Sequence, residues 1–379
     1  MKKLAKIVFS LIVVLSFISG CGSSSTDNTD SNVSQSPQTT NNAQGNTNND
    51  VNTITENNLI DKPTTFELSD IANKTFKVLG KYGFIDLTFD SNGVANVTVC
   101  GKNYEFKFEN GIIKVYENDD LIGEYKKVKA DSNGIILLVK DLKYNEYWLW
   151  SLLTTIKPVD MSTLNYPFTV YEGNHYVQKI TFENDKVIKY DYDGSIEELN
   201  STIEDGKIVA INEEDIYNNG NSGYKYIHKI QYIGEIDKYK IAQVDNYYEY
   251  WEIDNSLVGL TFNDIIGTNQ SIYGYILHSD GTASTTYNSD ANITYELISS
   301  TEINLTECYD IDSCYTINIT LDPDIGKIAE SGNFSFVTIY SEDPIITNYV
   351  NNSYRVLPRN SSIKDKVLLK YKKLRKKPF

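Results

Sequence analysis

Cysteines, isolated histidines and two tyrosine–tryptophan runs are the residues of this chain whose types and spacing bear on chemistry. The histidines, His175, His228 and His278, stand far apart, with no second His or Cys at metal-ligand spacing beside them. A zinc site would need four ligands gathered from distant strands, so surface or half-buried imidazoles are expected and no metal. Tyr190-Asp191-Tyr192-Asp193-Gly194-Ser195-Ile196 carries part of a calcium-loop pattern. Setting Gly194 at the turn position puts Lys189 at the first ligand and Asn200 at the last, where a bidentate carboxylate is required. A hairpin turn at Asp193-Gly194 is the simpler expectation. The chain has no Gly-x-Ser-x-Gly and no phosphate-cradling glycine loop, and nothing singles out a carboxylate pair for glycoside cleavage. The expectation is a protein that is not an enzyme and takes no cofactor.

The aromatic runs are Tyr144, Tyr147, Trp148 and Trp150, then Tyr247, Tyr248, Tyr250 and Trp251. On a strand they alternate between faces. Tyr147, Trp148, Trp150, Tyr250 and Trp251 are therefore candidate ligand contacts, flat rings that stack on a sugar or a lipid and keep a polar edge. The competing expectation is that one face fills a core while the other makes cross-strand pairs. Cys308 and Cys314 flank a short acidic turn; in a hairpin they would face each other at bridging distance, as a disulfide. Cys100 follows Val97-Thr98-Val99 and is expected to be a small buried hydrophobe.

Cys21 is the most directive of all. It closes Ile18-Ser19-Gly20-Cys21, behind Lys2, Lys3, Lys6 and an apolar stretch from Ile7 to Ile18. The arrangement resembles a bacterial lipoprotein signal peptide and its lipobox, with small residues ahead of a thiol that takes a diacylglyceryl chain. The apolar run is too short for a permanent membrane span. The resemblance implies lipidation at Cys21 and a cell-envelope location, at the outer membrane or cell surface, with the inner membrane left open.

Composition and pattern then give the elements that must carry these residues. The formal charge is -16, yet from Arg355 onward ten basic residues face the single acid Asp365. The body between is more acidic than the total, which repels phosphate backbones and argues against nucleic acid as a partner. Residues 22–62 are almost wholly Ser, Thr, Asn, Asp, Gln and Gly, a disordered tether with a coil reach of roughly 35 Å. From Phe66 onward, short alternating runs are joined by Asn-Gly turns, at Asn92-Gly93, Asn110-Gly111 and Asn133-Gly134, the strongest short-range hairpin signal. The body is expected to be all-β and antiparallel.

A divergent repeat runs through it. Leu68 to Thr75 matches Leu260 to Thr268 loosely, Thr181-Phe182-Glu183-Asn184-Asp185 echoes Thr88-Phe89-Asp90-Ser91-Asn92, and Ser201 to Ile208 echoes Phe106 to Ile112. The first two copies close on the aromatic runs, and Tyr349 to Val356 is the expected closing strand of the third. The organisation expected is a signal peptide 1–21, tether 22–62, β repeats 63–160, 161–257 and 258–358, and a tail 359–379. The alternative is one large β-sandwich. These turns and meanders resemble the lipocalin-like repeats of bacterial surface lipoproteins, although Lys74-Thr75-Phe76 and Gly267-Thr268-Asn269 stand where lipocalins carry Gly-x-Trp. The resemblance implies three tandem meander barrels and carries over no catalytic residue.

The function expected is a lipid-anchored, non-catalytic binding module for a small apolar or glycan ligand. A structural or adhesive surface protein without a pocket is the alternative, and an envelope hydrolase the third. In the tail, Ile363, Val367, Tyr371 and Leu374 share one helical face among lysines and arginines, a basic amphipathic pattern suited to anionic lipid or to the acidic body.

Overall fold

The computed structural model describes residues 52–80, 83–99, 102–174, 176–190, 195–215, 220–285, 292–308 and 314–350. The signal segment with Cys21, most of the tether, Cys100, His175, Asp191 to Gly194 and the basic tail lie outside the described residues, as do the side chains of Cys308 and Cys314.

The body is all-β, and turn chemistry sets its hairpins. Asn110 and Gly111 hold φ at 52° and 78°, and Asp205 and Gly206 hold 49° and 73°, positive at both central residues as a type I′ turn requires. The first eight strands are β1 (Thr75–Gly80), β2 (Gly83–Thr88), β3 (Val94–Val99), β4 (Lys102–Glu109), β5 (Ile112–Glu117), β6 (Asp120–Asp131), β7 (Gly134–Asp141) and β8 (Glu146–Leu153). They form one sheet in the order β2-β1-β8-β7-β6-β5-β4-β3, curled into a barrel with its seam between β2 and β3.

The next seven are β9 (Phe168–Gly173), β10 (Val177–Phe182), β11 (Lys186–Tyr190), β12 (Ile196–Glu204), β13 (Lys207–Asp215), β14 (Ser222–Ile236) and β15 (Tyr239–Ile253). They are followed by β16 (Ser271–Ile272), β17 (Tyr275–Leu277), β18 (Thr282–Thr285), β19 (Asn292–Ser299), β20 (Glu302–Cys308), β21 (Cys314–Asp322) and β22 (Lys327–Ser341). Strand β22 closes the second barrel. It pairs with β15 from Tyr239↔Ser341 to Ile253↔Lys327, and with β9 at Tyr340↔Glu172 and Ser341↔Tyr171. The other end of β22 pairs with β21, from Asn318↔Ser331 to Asp322↔Lys327, and so belongs to a third unit that runs out to β16 around its own core.

Barrel units thus form as expected, in place of one sandwich, but the second and third are a single sheet of 14 strands. The reason is strand length. β14, β15 and β22 are each 15 residues long, about 50 Å at 3.4 Å per residue, longer than the wall of one small barrel. The repeated turn motifs occupy corresponding connections, β4–β5 and β12–β13, which are both hairpins, and β2–β3 and β10–β11, of which only the second joins paired strands. The aromatic runs do not correspond: the first lies in the eighth strand of its unit, the second in the seventh. Of the expected closing strand, residues 351–356 lie outside the described residues; the last strand among the described residues ends at Ser341, and Tyr349 packs edge-on against Tyr171 at 5.0 Å.

The first barrel is filled with rings. Phe76, Phe89, Phe106, Tyr125 and Trp150 contact one another at 5.4–6.5 Å between centroids, mostly edge to face, the arrangement ring quadrupoles prefer. Its β7 reads Ile135-Ile136-Leu137-Leu138-Val139 because both faces are covered. Ile135, Leu137 and Val139 face the barrel core. Ile136 and Leu138 join Leu149 and Leu153 in a second core against Ile233, Ile236, Tyr239, Ile241 and Ile339 of the second barrel. Backbones approach closely there: a Cβ on Gly173 would lie 2.8 Å from Leu149 Cδ1. Ile54 and Leu59 are buried in the same core, so residues 52–62, at the end of the expected tether, are part of the folded body.

Candidate functional site

The second barrel is where polar chemistry gathers. Side chains alternate along its strands, and the inward phase begins apolar. Val170, Phe182, Val187, Ile208, Ile230, Tyr232, Ala242 and Tyr340 make a floor. The turn Met161–Thr163 seals it from below: Asp160 caps the turn by accepting from the Ser162 amide, and Met161 is fully buried.

Two positions further along each strand, the same inward phase turns polar. Glu172 follows Val170, Lys189 follows Val187, Asn212 follows Ala210, His228 precedes Ile230, Asn246 follows Val244 and Thr338 precedes Tyr340. Glu197 precedes Leu199 on the strand between. These side chains meet between neighbouring strands. Lys189 Nζ is 3.6 Å from Glu197 Oε2, and Asn212 Nδ2 donates to Glu197 Oε1 at 3.0 Å. His228 Nδ1 is 2.5 Å from Asn246 Oδ1. The Tyr226 ring stacks nearly parallel to His228, at 11°. Tyr224, Tyr226, Tyr248 and Tyr250 continue the wall as one cluster.

Exposure changes with depth. Phe182 at the floor is 0% exposed, whereas the Lys189 and Glu197 side chains keep 21% and 27%. The interior is therefore a cup, dry at the base and reached by water at Lys189 and Glu197, while Asn246 and Thr338 of the same ring stay buried. Burial, aided by the Lys189 charge, pushes the His228 imidazole down to about 4, against the Asn246 bond and the Glu197 charge. The ring is neutral above that pH. With Asn246 presenting its carbonyl oxygen, Nδ1 carries the proton, and Nε2 is an acceptor without a partner among the described residues. Burial also lifts the Glu172 carboxyl above its ordinary range, opposed by a bond from Thr338 and the Lys189 charge.

The aromatic candidates separate. Trp148 and Trp150 are 4% and 5% exposed inside the first barrel, so they fill its core and present no face to a ligand. The Trp150 ring is taken up by Phe106 and Tyr125. Tyr147 packs beside the core between the barrels, with Lys140 Nζ 5.8 Å from its ring. Trp251 lies under Lys327 Nζ at 5.1 Å. Of the five, Tyr250 alone joins the tyrosine wall that continues the cup.

His228, expected to be an isolated imidazole, is the residue that the sequence argument undervalued. Its signal was phase: it shares β14's period of two with Ile230 and Tyr232. His278 is half-buried, within the expectation, and bonded to Ser284 Oγ at 3.1 Å. Cys308 and Cys314 are direct register partners across β20–β21. Among the described residues there is no cluster of metal-ligating side chains and no helix long and apolar enough to cross a membrane.

No protein-family model matches the chain, and neither a curated protein nor a solved structure matches it.

Proposed function

We propose that this is a lipid-anchored cell-envelope protein whose second barrel binds a small, neutral, hydroxyl-rich ligand, a glycan unit, without transforming it. The observation that carries this reading is the water-reached polar ring above a dry aromatic floor. An apolar ligand would strip water from Lys189, Glu197 and His228 and return no hydrogen bonds, which is costly. Sugar hydroxyls both donate and accept. They suit the mixed set of Lys189 ammonium, Glu197 carboxylate, Asn212 amide and His228 Nε2, while Tyr226 and Tyr248 offer ring faces. The ion pair between Lys189 and Glu197 leaves little net charge to select an ionic ligand.

The anchor rests on the lipobox pattern at Cys21, and the likeness to surface lipoproteins with lipocalin-like repeats rests on the turn motifs together with the barrels. In this reading the tether holds the body clear of a membrane surface, and the basic tail supplies a second contact to anionic lipid. The purely structural alternative draws on the first barrel, which is packed with rings.

The test is calorimetric titration of the intact chain, in detergent micelles, with a panel of neutral mono- and disaccharides. At least one should bind, and Glu197→Gln should weaken it about tenfold, as loss of a charge-assisted bond does. Silence across the panel would favour the structural alternative. Bond cleavage in the bound sugar would move the protein to the hydrolase class.

A further inference from the structure

A second concavity lies beneath the cup floor, where the segment leaving the first barrel crosses under the second. It encloses about 500 Å³. Its apolar surface comes from Leu153, Val159, Phe168 and Tyr232. Two opposite charges stand on its rim, Lys157 and Glu342. Lys240, also on the rim, is engaged by Glu235 at 2.6 Å. Lys157 and Glu342 have no ion pair or side-chain hydrogen bond among the described residues. Glu342 lines the groove together with Tyr232, and its charge adds to the burial that raises the Tyr232 hydroxyl.

We propose that this groove is a second binding site, for a short peptide with apolar side chains and free termini. The Lys157 ammonium takes the peptide's terminal carboxylate, Glu342 takes its terminal ammonium, and the side chains lie on Phe168 and Tyr232. The size fits. A cavity of this volume is about 8 Å across, and an extended peptide advances about 3.5 Å per residue, so two or three residues span it. A fatty chain leaves both rim charges unpaired, and a neutral sugar brings no opposite charge to either. A zwitterion of this length satisfies each with a charge-assisted bond. The site stands independently of the sugar cup, because the floor residues separate the two.

The experiment is calorimetry on the intact chain in micelles of a non-ionic detergent, with the dipeptide Leu-Phe, its N-acetylated amide and soluble phosphocholine as probes. Leu-Phe should bind, and blocking both ends should weaken it about tenfold or more. Lys157→Gln and Glu342→Gln, both at exposed positions that leave the core intact, should each do the same. Glu197→Gln, in the cup, should leave Leu-Phe binding unchanged. No binding of Leu-Phe, equal binding of the blocked form, or indifference to both rim variants would overturn the proposal. So would phosphocholine binding with the same rim dependence, which would make the groove a reader of lipid headgroups.

Discussion

Asp61 accepts a 2.7 Å hydrogen bond from the hydroxyl of Tyr239, tying the segment ahead of the first barrel to the second. The same carboxylate meets Lys238 at 2.9 Å and Lys129 of the first barrel at 3.4 Å. One side chain therefore stitches three parts of the molecule together. Burial works to raise the Asp61 carboxyl, but the bonds from Lys238 and Tyr239 and the nearby lysine charges overcome it and hold it below its ordinary value. A carboxyl lowered in the folded state contributes stability that is complete above its unfolded pKa, near 4, and is lost as pH falls through its folded value. Thermal melts across acidic pH should show the melting temperature falling in that window. Asp61→Asn should lower Tm at neutral pH and flatten the acidic limb. An unchanged acidic limb in the variant would place the acid sensitivity elsewhere.

The core between the barrels makes the first barrel dependent on the second. Truncating Ile136 to Ala removes a fully buried side chain and should cost about 2–5 kcal/mol, read as a lower denaturant midpoint. A fragment of residues 64–160 leaves Ile136, Leu138, Leu149 and Leu153 uncovered. It should melt below the intact chain or self-associate, by circular dichroism and light scattering. A monomeric fragment as stable as the whole body would show that this core contributes little.

Directly opposed residues of an antiparallel pair have Cα atoms about 4.5–5.5 Å apart, within the range a disulfide spans. The register Cys308↔Cys314 therefore favours a bridge in protein exported to an oxidising compartment. Intact mass should be two hydrogens lighter than in the reduced chain, with the link mapped to these two residues by peptide analysis. Finding both thiols free to alkylate after aerobic purification would contradict it.

Anchoring at Cys21 is tested by Cys21→Ala, which should lose palmitate labelling and leave the detergent phase, because one acyl chain alone holds a protein only marginally. Retention of both would place the anchor elsewhere.

The sequence displays the barrels and hides the cup, for a physical reason. Hairpins are local: Asn110-Gly111 and Asp205-Gly206 specify their turns with adjacent residues, and β7 announces its double burial as an unbroken apolar run. The cup draws one residue from each of seven strands, from Glu172 to Thr338, and only barrel closure brings them together. What each strand does carry is a phase signal, a polar side chain in step with the apolar ones, as Lys189 is with Val187 and Glu197 with Leu199. The burial of Trp148 and Trp150 in the first barrel was hidden by the same non-locality. Alternation shows that they share a face with Leu152, but not that this face looks into a filled barrel.

The most direct test of the account follows the imidazoles of His228 and His278 by NMR while the intact chain is titrated with the sugar that binds best. His228 lies in the polar ring and His278 in the third unit, half-buried beside Ser284, so each serves as the other's control. Before sugar is added, His228 should titrate near pH 4. Binding should shift its resonances in step with saturation and leave His278 unmoved, and Asn246→Ala should weaken both the shift and the affinity. A sugar that saturates the protein while the His228 signals stay fixed would contradict the account, because its ligand would then lie outside the cup.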